Sequence, residues 1–341
     1  MHICFATYQS VMLLKGGPQT QILQLKHCLE NLGHRITLFE TWKEFNKSTF
    51  DAIHLFGANI GTYHLAREIY KLGIPLIVSP IFYTRQSISI VKAVLSIDKI
   101  LHKITHGTWT DYGLVAEICS WAKMIIPNTT LEAELCKKGF GIPEEKITII
   151  PNGVEERFYN SNPKIFVEKY GVENFILNVG HIGPARKNVL KLIRALAEID
   201  TPAVIIGRKE NNNYSKQCFD EAKKNPRLII LDSLPHESDL LSSAYAACDV
   251  FALPSQYETP GIAALEAALA GAKILITNKG GTEDYFGSFA EYVNPNSIES
   301  IRKGILFALS KPKDNTLREH IRKNFLWNSL AEKMLNAYEK I

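Results

Sequence analysis

Residues Tyr257–Gly281 read YETPGIAALEAALAGAKILITNKGG and contain a loop, a helix, a strand and a glycine-rich turn in direct succession. Apolar residues recur at helical spacing over Ile262–Ala270, and the run that follows, Lys273–Ile276, is apolar along most of its length. A helix that leads straight into an apolar strand is typical of a parallel sheet with helices on both faces. The stretch therefore predicts an α/β fold.

The same alternation of strand and helix extends along the whole chain. We predict twelve short strands: His2–Ala6, Arg35–Phe39, Ala52–Leu55, Pro75–Val78, Met124–Ile126, Ile147–Ile150, Phe175–Val179, Ala203–Ile206, Leu228–Leu231, Val250–Leu253, Lys273–Ile276 and Glu291–Val293. Helical spacing is clearest in Gln19–Leu32, Leu131–Lys138, Asn188–Ala197 and Ile262–Ala270. Because twelve strands exceed what one compact open sheet accommodates, we expect two doubly wound parallel sheets.

The sequence PNGV, at Pro151–Val154, marks the boundary between the two sheets, since Pro, Asn and Gly end a strand and begin a linker. We predict an N-terminal domain over 1–152 and a C-terminal domain over 153–312. Residues 313–341 are predicted as C-terminal helices that pack back towards the N-terminal domain. Two such domains facing each other form a cleft at the carboxyl ends of their strands, where doubly wound sheets bind ligands.

Composition excludes several classes of protein. The chain has 341 residues, 46 % of them hydrophobic, which excludes disordered and collagen-like proteins. Its net charge of +4 is too small to indicate nucleic-acid binding. The six cysteines form no CxxC pair, which favours buried thiols in a reducing compartment and no structural zinc. The N-terminal MHICFATY resembles a strand and not a signal peptide, and no run of 18 apolar residues occurs, so we expect a cytoplasmic protein.

Two glutamates in the opening stretch are candidate ligand-binding residues. Glu258 precedes the helix, and the loop Thr259-Pro260-Gly261 leads to a helix start near Ile262 whose free amides suit phosphate or sugar oxygens. Glu266 lies one turn inside an Ala- and Leu-rich helix, where a buried carboxylate needs a partner such as two ligand hydroxyls. The alternative is a helix-start acid and a helical glutamate satisfied within the protein.

Three glycine-containing turns at strand ends add to this pattern. In VGHIGPARKN, Val179–Asn188, a strand ends at Gly180 and a loop delivers Arg186 and Lys187 to a helix start. Two cations there suit a pyrophosphate; the alternative is a solvated basic helix start, which opposes the helix dipole. Gly16-Gly17 follows the first strand, where backbone amides meet a phosphate. The turn NKGGTED, Asn278–Asp284, has glycines that allow close approach to a ligand.

Taken in the order in which they occur along the chain, these features resemble those of the retaining nucleotide-sugar glycosyltransferases of glycosyltransferase family 4, also called glycosyl transferases group 1. The similarity covers nearly the whole chain and is strongest from Met124 to Gly281. It includes the early Gly-Gly loop, GHRITLFE, IPNTTLEAELCKKGFGIPEEKITIIPNGV, the RKN element and the E-x7-E motif. The resemblance implies the GT-B fold, in which two Rossmann-like domains face each other across a cleft. It assigns acceptor binding to 1–152 and nucleotide-sugar binding to 153–312.

The resemblance also implies residue roles. Glu258 holds the donor sugar near the reacting centre, Glu266 binds the ribose hydroxyls, and Arg186 and Lys187 neutralise the diphosphate leaving group. The catalytic residues are thus Glu258, Arg186 and Lys187. The full set of implied donor-binding residues is Gly16, Gly17, Gly180, His181, Arg186, Lys187, Gly207, Arg208, Leu234, Pro235, Glu258, Thr259, Pro260, Gly261, Ile262 and Glu266.

The family mechanism implies front-face attack, in which the departing phosphate takes the acceptor's proton and no metal or cofactor is needed. The absence of an Asp-x-Asp motif agrees with metal independence. The donor would be a nucleotide-diphosphate sugar such as a UDP- or GDP-sugar. This sequence departs from the family at His181, where an arginine is common, and at IVSPIFYTRQ, Ile77–Gln86, which lacks the usual histidine.

The expected acceptor is a glycan or lipid-linked saccharide used in cell-surface polysaccharide or glycoconjugate synthesis. Residues 85–106 form a basic amphipathic pattern, which suits peripheral contact with an anionic membrane at its inner face. The alternative for this segment is a core-packing helix with a solvated basic face. Alternative functions for the chain are a nucleotide-sugar epimerase, a glycosyl phosphorylase and a catalytically silent GT-B binding subunit.

Overall fold

A computed structural model describes residues 1–14, 16–105 and 110–341, without the side chains of residues 14 and 102–105. The chain divides into two compact units. The first unit contains Met1–Asn152 and Trp327–Ile341, and the second contains Gly153–Leu326. The boundary predicted at 152/153 coincides with this division. The segment predicted as C-terminal helices, 313–341, is divided between the units. Its residues up to Leu326 belong to the second unit, and Trp327–Ile341 belongs to the first.

The first unit is a five-stranded parallel sheet with helices between its strands. Its strands are β1 (His2–Thr7), β2 (Arg35–Leu38), β3 (Ala52–Phe56), β4 (Leu76–Ser79) and β5 (Met124–Ile125). Its helices are α1 (Val11–Leu14), α2 (Gly17–Asn31), α3 (Ile60–Lys71), α4 (Ile88–Thr105), α5 (Asp111–Trp121) and α6 (Thr130–Glu134), together with α15 (Trp327–Tyr338) from the end of the chain.

The second unit is a six-stranded parallel sheet. Its strands are β6 (Ile176–Val179), β7 (Ala203–Ile206), β8 (Leu228–Leu231), β9 (Val250–Leu253), β10 (Lys273–Thr277) and β11 (Glu291–Val293). Its helices are α7 (Lys164–Tyr170), α8 (Val189–Leu196), α9 (Asn213–Ala222), α10 (Asp239–Ala247), α11 (Ile262–Leu269), α12 (Glu283–Phe286), α13 (Ile298–Ser310) and α14 (Thr316–Phe325).

The strand order of each sheet contains one point at which the chain changes direction across the sheet. The first sheet runs β2-β1-β3-β4-β5, so its order reverses between β1 and β3. The second runs β11-β10-β9-β6-β7-β8 and reverses between β6 and β9. Loops that leave the carboxyl ends of the two strands at such a point diverge, and the crevice between them is where doubly wound sheets bind ligands.

One predicted strand is wrong: Ile147–Ile150 forms no strand beyond an isolated bridge between Ile147 and Ile125. The amides of Thr148 and Ile150 donate to the carbonyl oxygens of Ile125 and Pro127 at 3.0 and 3.1 Å. Pro127 has no N–H with which to return a bond, so the parallel ladder ends there.

The core of the first unit depends on the helix that the end of the chain contributes. Leu330 and Met334 of α15 lie in one buried cluster with Leu25 and Leu29 of α2. The imidazole of His54 on β3 bonds to the Tyr338 hydroxyl at 2.7 Å and to the Ser79 hydroxyl at 2.9 Å. Burial lowers the pKa of His54 to about 3, so this histidine is a neutral core residue.

Across the residues that the structure describes, no helix combines the length and apolar content needed to cross a bilayer.

Candidate functional site

The candidate site of the second unit lies at the reversal point of its sheet. The loop after β6 contains Arg186 and Lys187, and the loop after β9 contains Glu258. Because β6 and β9 are neighbours, with Ile176 opposite Val250 and Leu177 opposite Phe251, the two loops leave the sheet side by side. Lys187 and Glu258, 71 residues apart in sequence, therefore meet at the carboxyl edge of the sheet. Doubly wound sheets bind their ligands at this edge.

Glu258 is the centre of this cluster and is only 6 % exposed. Its Oε1 accepts a hydrogen bond from Lys187 Nζ at 2.7 Å and lies 3.6 Å from Arg186 Nη1. Arg186 Nη1 also donates to the Tyr257 carbonyl at 3.0 Å. The two cations, for which the sequence predicts a pyrophosphate, contact the Glu258 carboxylate within the protein.

Opposing effects act on the ionisation of Glu258. Burial raises the pKa of this carboxyl, whereas the charges of Lys187 and Arg186 and the Lys187 hydrogen bond lower it. The charges prevail, so the net pKa lies below the ordinary glutamate value. Glu258 is therefore an ionised carboxylate held between two cations, one of which, Lys187, has a side chain 22 % exposed.

Backbone geometry fixes both sides of the cluster. Asn188 adopts a left-handed conformation, with φ of 59°, and its buried Nδ2 donates to the carbonyls of Pro254 and Pro295 at 2.8 Å each. Gly280 has φ of 97°, and a Cβ at that position would lie 2.0 Å from the Glu258 carbonyl oxygen. The Gly280 turn thus approaches the Glu258 backbone.

The loop between the two glutamates leads into α11 as predicted from the sequence. Gly261 precedes the helix with φ of 86°, and its carbonyl accepts the amide of Ala264 at 2.8 Å. Ile262 is the first helical residue, and it is half-buried, as is Thr259, whereas Pro260 is buried. The first turn of α11 thus follows Glu258 closely in the sequence, after the loop Thr259-Pro260-Gly261.

Glu266 contacts two side chains that sequence reasoning missed. Its Oε1 bonds to His236 Nε2 and its Oε2 accepts from the Tyr245 hydroxyl, both at 2.8 Å. Glu266 is 4 % exposed. The hydrogen bond to Glu266 raises the pKa of His236 to about 9, against the opposing effect of burial. His236 directly follows the predicted pair Leu234 and Pro235, so its position after β8 was the available signal.

The remaining second-unit candidates lie on neighbouring loops of the same edge. A Cβ on Gly207 would lie 1.7 Å from the Gly180 carbonyl oxygen, so these two loops pack backbone against backbone. His181 Nδ1 lies 3.8 Å from Glu210 Oε1, and burial is the largest of the effects that lower its pKa. Arg208 and Pro235 are exposed, and Leu234 is half-buried.

The first-unit candidates, Gly16 and Gly17, lie where α2 begins, at the carboxyl side of β1. Gly16 has φ of −171°, an extended conformation that any residue adopts. Elsewhere on this edge, buried Glu132 accepts the amides of Phe82 and Asn128 at 2.7 Å each, which ties down the loop after β4. Burial raises the pKa of Glu132 to about 7. This loop is the one that departs from the family pattern.

Part of the chain matches a known protein family and curated relatives. Residues 163–325 match the family described as Glycosyl transferases group 1. An uncharacterized glycosyltransferase of Methanocaldococcus jannaschii is 28 % identical over 239 residues, covering 64 % of this chain and 60 % of the relative. The sulfoquinovosyl transferase SQD2 of Arabidopsis thaliana is 24 % identical over 261 residues, covering 73 % and 48 %. The matches thus span less than two thirds of these relatives.

Solved structures share the fold over the full chain. The sucrose-phosphate synthase of Thermosynechococcus elongatus aligns with a TM-score of 0.76 at 16 % identity. The alignment covers 100 % of this chain and 99 % of the synthase chain. Anabaena HepE in complex with UDP has a TM-score of 0.72 at 15 % identity, with 100 % of both chains covered. By its two parallel sheets and these neighbours the chain has the GT-B fold, and its residues 163–325 match the family described as Glycosyl transferases group 1.

Proposed function

We propose that this protein transfers a hexose-type sugar, with retention of configuration, from a nucleotide-diphosphate sugar to a glycan or a lipid-linked saccharide. The observation that carries the proposal is the Glu258 carboxylate, buried and paired with Lys187 and Arg186 at the reversal point of the second sheet. A carboxylate and two cations in one partly buried cluster offer complementary groups to a sugar hydroxyl and to a diphosphate.

The reaction breaks the bond between the sugar carbon and the diphosphate oxygen and forms a bond from that carbon to an acceptor oxygen. Negative charge develops on the departing diphosphate, and Lys187 and Arg186 are the groups placed to stabilise it. In front-face attack the acceptor hydroxyl gives its proton to the departing phosphate oxygen, which keeps the configuration of the sugar. Neither a metal ion nor a cofactor takes part in this scheme.

Glu258 has two parts in this proposal. Before donor binding, its charge holds Lys187 Nζ at 2.7 Å and so keeps a flexible lysine at the site. With donor bound, the carboxylate accepts hydroxyls of the transferred sugar while the cations turn to the diphosphate. Pro260, Gly261 and Ile262 supply amides beside it.

We propose a UDP-sugar as the first donor to test and a GDP-sugar as the second. Structures of HepE in complex with UDP and with UDP-glucose share this fold at TM-scores of 0.72. Glu266 would accept the ribose hydroxyls, and the loops at Gly207–Arg208 and Leu234–Pro235 would contact the base. Gly16 and Gly17 would meet the diphosphate through their backbone amides.

The acceptor would meet the first unit at the inner face of a membrane, in the cytoplasm. On α4, Ile97 and Ile100 have exposed fractions of 55 % and 61 %, and Lys92 and Lys99 are exposed beside them. An apolar stripe flanked by lysines suits the surface of an anionic bilayer, where a lipid-linked saccharide would be presented. The remainder of the predicted segment 85–106, beyond Leu101, lies outside the described side chains.

The first experiment is donor turnover with UDP- and GDP-sugars, with and without magnesium, in the presence of candidate acceptors. We expect release of one nucleoside diphosphate that does not depend on magnesium. Conversion of the donor sugar without any acceptor would instead support an epimerase. Failure of every nucleotide and nucleotide sugar to raise the melting temperature would support a silent binding subunit.

Replacing Glu258 tests the residue roles. We expect Glu258→Gln to lower turnover at least about 100-fold, because the lost contact is to the reacting sugar. Affinity for UDP should stay the same or increase, since Lys187 and Arg186 then have no competing carboxylate. Glu221→Gln, which removes a half-buried carboxylate paired with Lys224 at the end of α9, serves as control for the loss of one paired carboxylate. Equal losses of turnover and UDP affinity in Glu258→Gln would contradict the assignment.

A further inference from the structure

We propose that His236 is a positioning residue of the nucleotide site: its hydrogen bond orients the buried Glu266 carboxylate, so that this carboxylate accepts the two ribose hydroxyls of the donor. The inference rests on the proposed function, and in particular on the ribose role of Glu266. It names the residue on which that role depends.

The first observation is the charge balance of Glu266. A carboxylate that is 4 % exposed needs a compensating positive charge or several hydrogen bonds, because burial removes its contacts with water. Its hydrogen-bond partners among the described residues are the Tyr245 hydroxyl, which is neutral, and His236 Nε2, both at 2.8 Å. His236 is therefore the cation in direct contact with Glu266.

The second observation is the number of acceptor positions that the two partners leave. An ionised carboxylate has about four lone-pair positions, two on each oxygen. His236 occupies one on Oε1 and Tyr245 occupies one on Oε2. One position remains on each oxygen, and a ribose presents two neighbouring hydroxyl donors. The arrangement thus completes two hydrogen bonds inside the protein and reserves two for a vicinal diol.

The third observation is the surroundings of His236 itself. Its Nδ1 faces two further carboxylates, Glu237 at 3.3 Å and Glu155 at 3.6 Å. One cation, Arg157, is also close: its Nη2 lies 3.5 Å from Nδ1 and donates to the His236 carbonyl at 2.6 Å. With Glu266, three carboxylates face one imidazole, so the charged form of His236 is favoured despite Arg157.

A pH dependence follows from these contacts. The pKa of His236 is raised to about 9, so the imidazolium is present at neutral pH and is lost in alkali. Its deprotonation leaves the Glu266 carboxylate buried without a cation, and the geometry that accepts the ribose weakens. Affinity for a nucleoside diphosphate should therefore fall as the pH rises through about 9.

Calorimetry with UDP and with 2′,3′-dideoxy-UDP tests this on the full chain. We expect His236→Gln, which keeps a neutral donor at this position, to bind UDP about tenfold more weakly at pH 7, a change of about 1.4 kcal/mol. It should bind 2′,3′-dideoxy-UDP like the native protein. The matched control is Tyr245→Phe, which removes a hydrogen bond to the same carboxylate but keeps the cation, and should retain the alkaline loss of affinity.

The dependence of UDP affinity on pH is the second measurement. The native protein should lose UDP affinity between pH 8 and 10, and His236→Gln should not show this loss beyond that of the nucleotide itself. An NMR titration of His236 in the absence of nucleotide should give a pKa near 9 that falls in Glu266→Gln. Equal UDP affinities and pH profiles for native protein and His236→Gln would overturn the inference and leave the proposed function standing. No binding of UDP or GDP to the native protein would overturn both.

Discussion

Single residues at the carboxyl edge of the second sheet hold the candidate site together, and Asn188 shows how. It adjoins Lys187, adopts φ of 59°, and ties the loops after β9 and β11 through one amide group. A left-handed residue favours Asn or Gly, and of these only Asn supplies the two hydrogen bonds. The position of Lys187 against Glu258 thus depends on its neighbour's side chain.

We predict that Asn188→Gly lowers the free energy of unfolding of the second unit by about 1–3 kcal/mol, since two buried hydrogen bonds are lost while the conformation is kept. Asn188→Ala should cost at least as much, because alanine is strained there. Urea unfolding followed by hydrogen exchange at β6 and β9 measures both changes.

The control for this comparison is Asn174→Gly. Asn174 also has positive φ, 53°, but its side chain is exposed. That variant should stay within about 0.5 kcal/mol of the native protein, as surface substitutions do. If Asn188→Gly were as stable as Asn174→Gly, the two hydrogen bonds would contribute nothing to the loop arrangement.

The sequence predicted site residues where the signal lies in neighbouring residues of the chain, and it did not predict contacts that the tertiary fold creates. Two cations at a helix start predicted a pyrophosphate ligand for Lys187 and Arg186, and in the protein itself both lie against the Glu258 carboxylate. For the contacts of Glu266 with His236 and Tyr245, the one local signal was the position of His236 after β8, because the loop after β8, α10 and α11 must first be placed in space. Whether a buried glutamate faces a ligand or a histidine is decided by that placement.

At the scale of elements, strands and helices followed the sequence pattern where apolar runs were unbroken. Ile147–Ile150 has the composition of a strand but forms none, because Pro127 on the opposite segment has no N–H to donate to the ladder. The last two helices, α14 and α15, have similar amphipathic patterns but belong to different units. A helical pattern reveals which face is apolar and does not identify the sheet that covers it.

The exposed stripe on α4 predicts an interaction at this scale. We expect the protein to float with vesicles of phosphatidylglycerol and phosphatidylcholine at low salt, and to be released as salt screens the lysine charges. Ile97→Asp combined with Ile100→Asp should abolish flotation, because both side chains would enter the bilayer surface.

Ile60→Asp is the control for that experiment, since Ile60 is 78 % exposed on α3 of the same unit and does not belong to the stripe. Native protein that stays entirely in the soluble fraction at low salt would contradict a membrane role for α4, and would favour a solvated helix face.

For the whole molecule, the two units should respond differently to pH. In the first unit, burial lowers the pKa of His54 to about 3, so its contribution to stability is lost as the pH falls below about 6.5. Glu132 acts in the opposite sense: its raised pKa, about 7, favours the folded state at low pH, and this contribution is lost as the pH rises from about 4.5 to 7.

These two effects should nearly cancel between about pH 4.5 and 6.5. We predict a flat stability profile there for the first unit in thermal unfolding followed by local hydrogen exchange. His54→Asn should reveal a decline with rising pH, and Glu132→Gln should reveal a rise. Profiles with the same slope in both variants would contradict the buried, uncharged state of these groups.

The second unit should lose stability on the alkaline side. The raised pKa of His236, about 9, makes a contribution that is complete below about 6.5 and is lost as the pH rises through 9. Because the His236 side chain is 35 % exposed, solvent reduces the size of this contribution.

The discontinuous first unit has a consequence for biosynthesis. A ribosome that adds about 5–20 residues per second needs about 9 to 35 seconds to make Gly153–Leu326, the segment inserted between the two parts of the first unit. Throughout that interval the nascent first sheet lacks α15, and the apolar side chains of α2 that Leu330 and Met334 later cover stay accessible. The second unit, encoded without interruption, is complete in the nascent chain before Trp327–Ile341 is made, so the unit whose translation begins first receives its last core helix after the other unit has been synthesised.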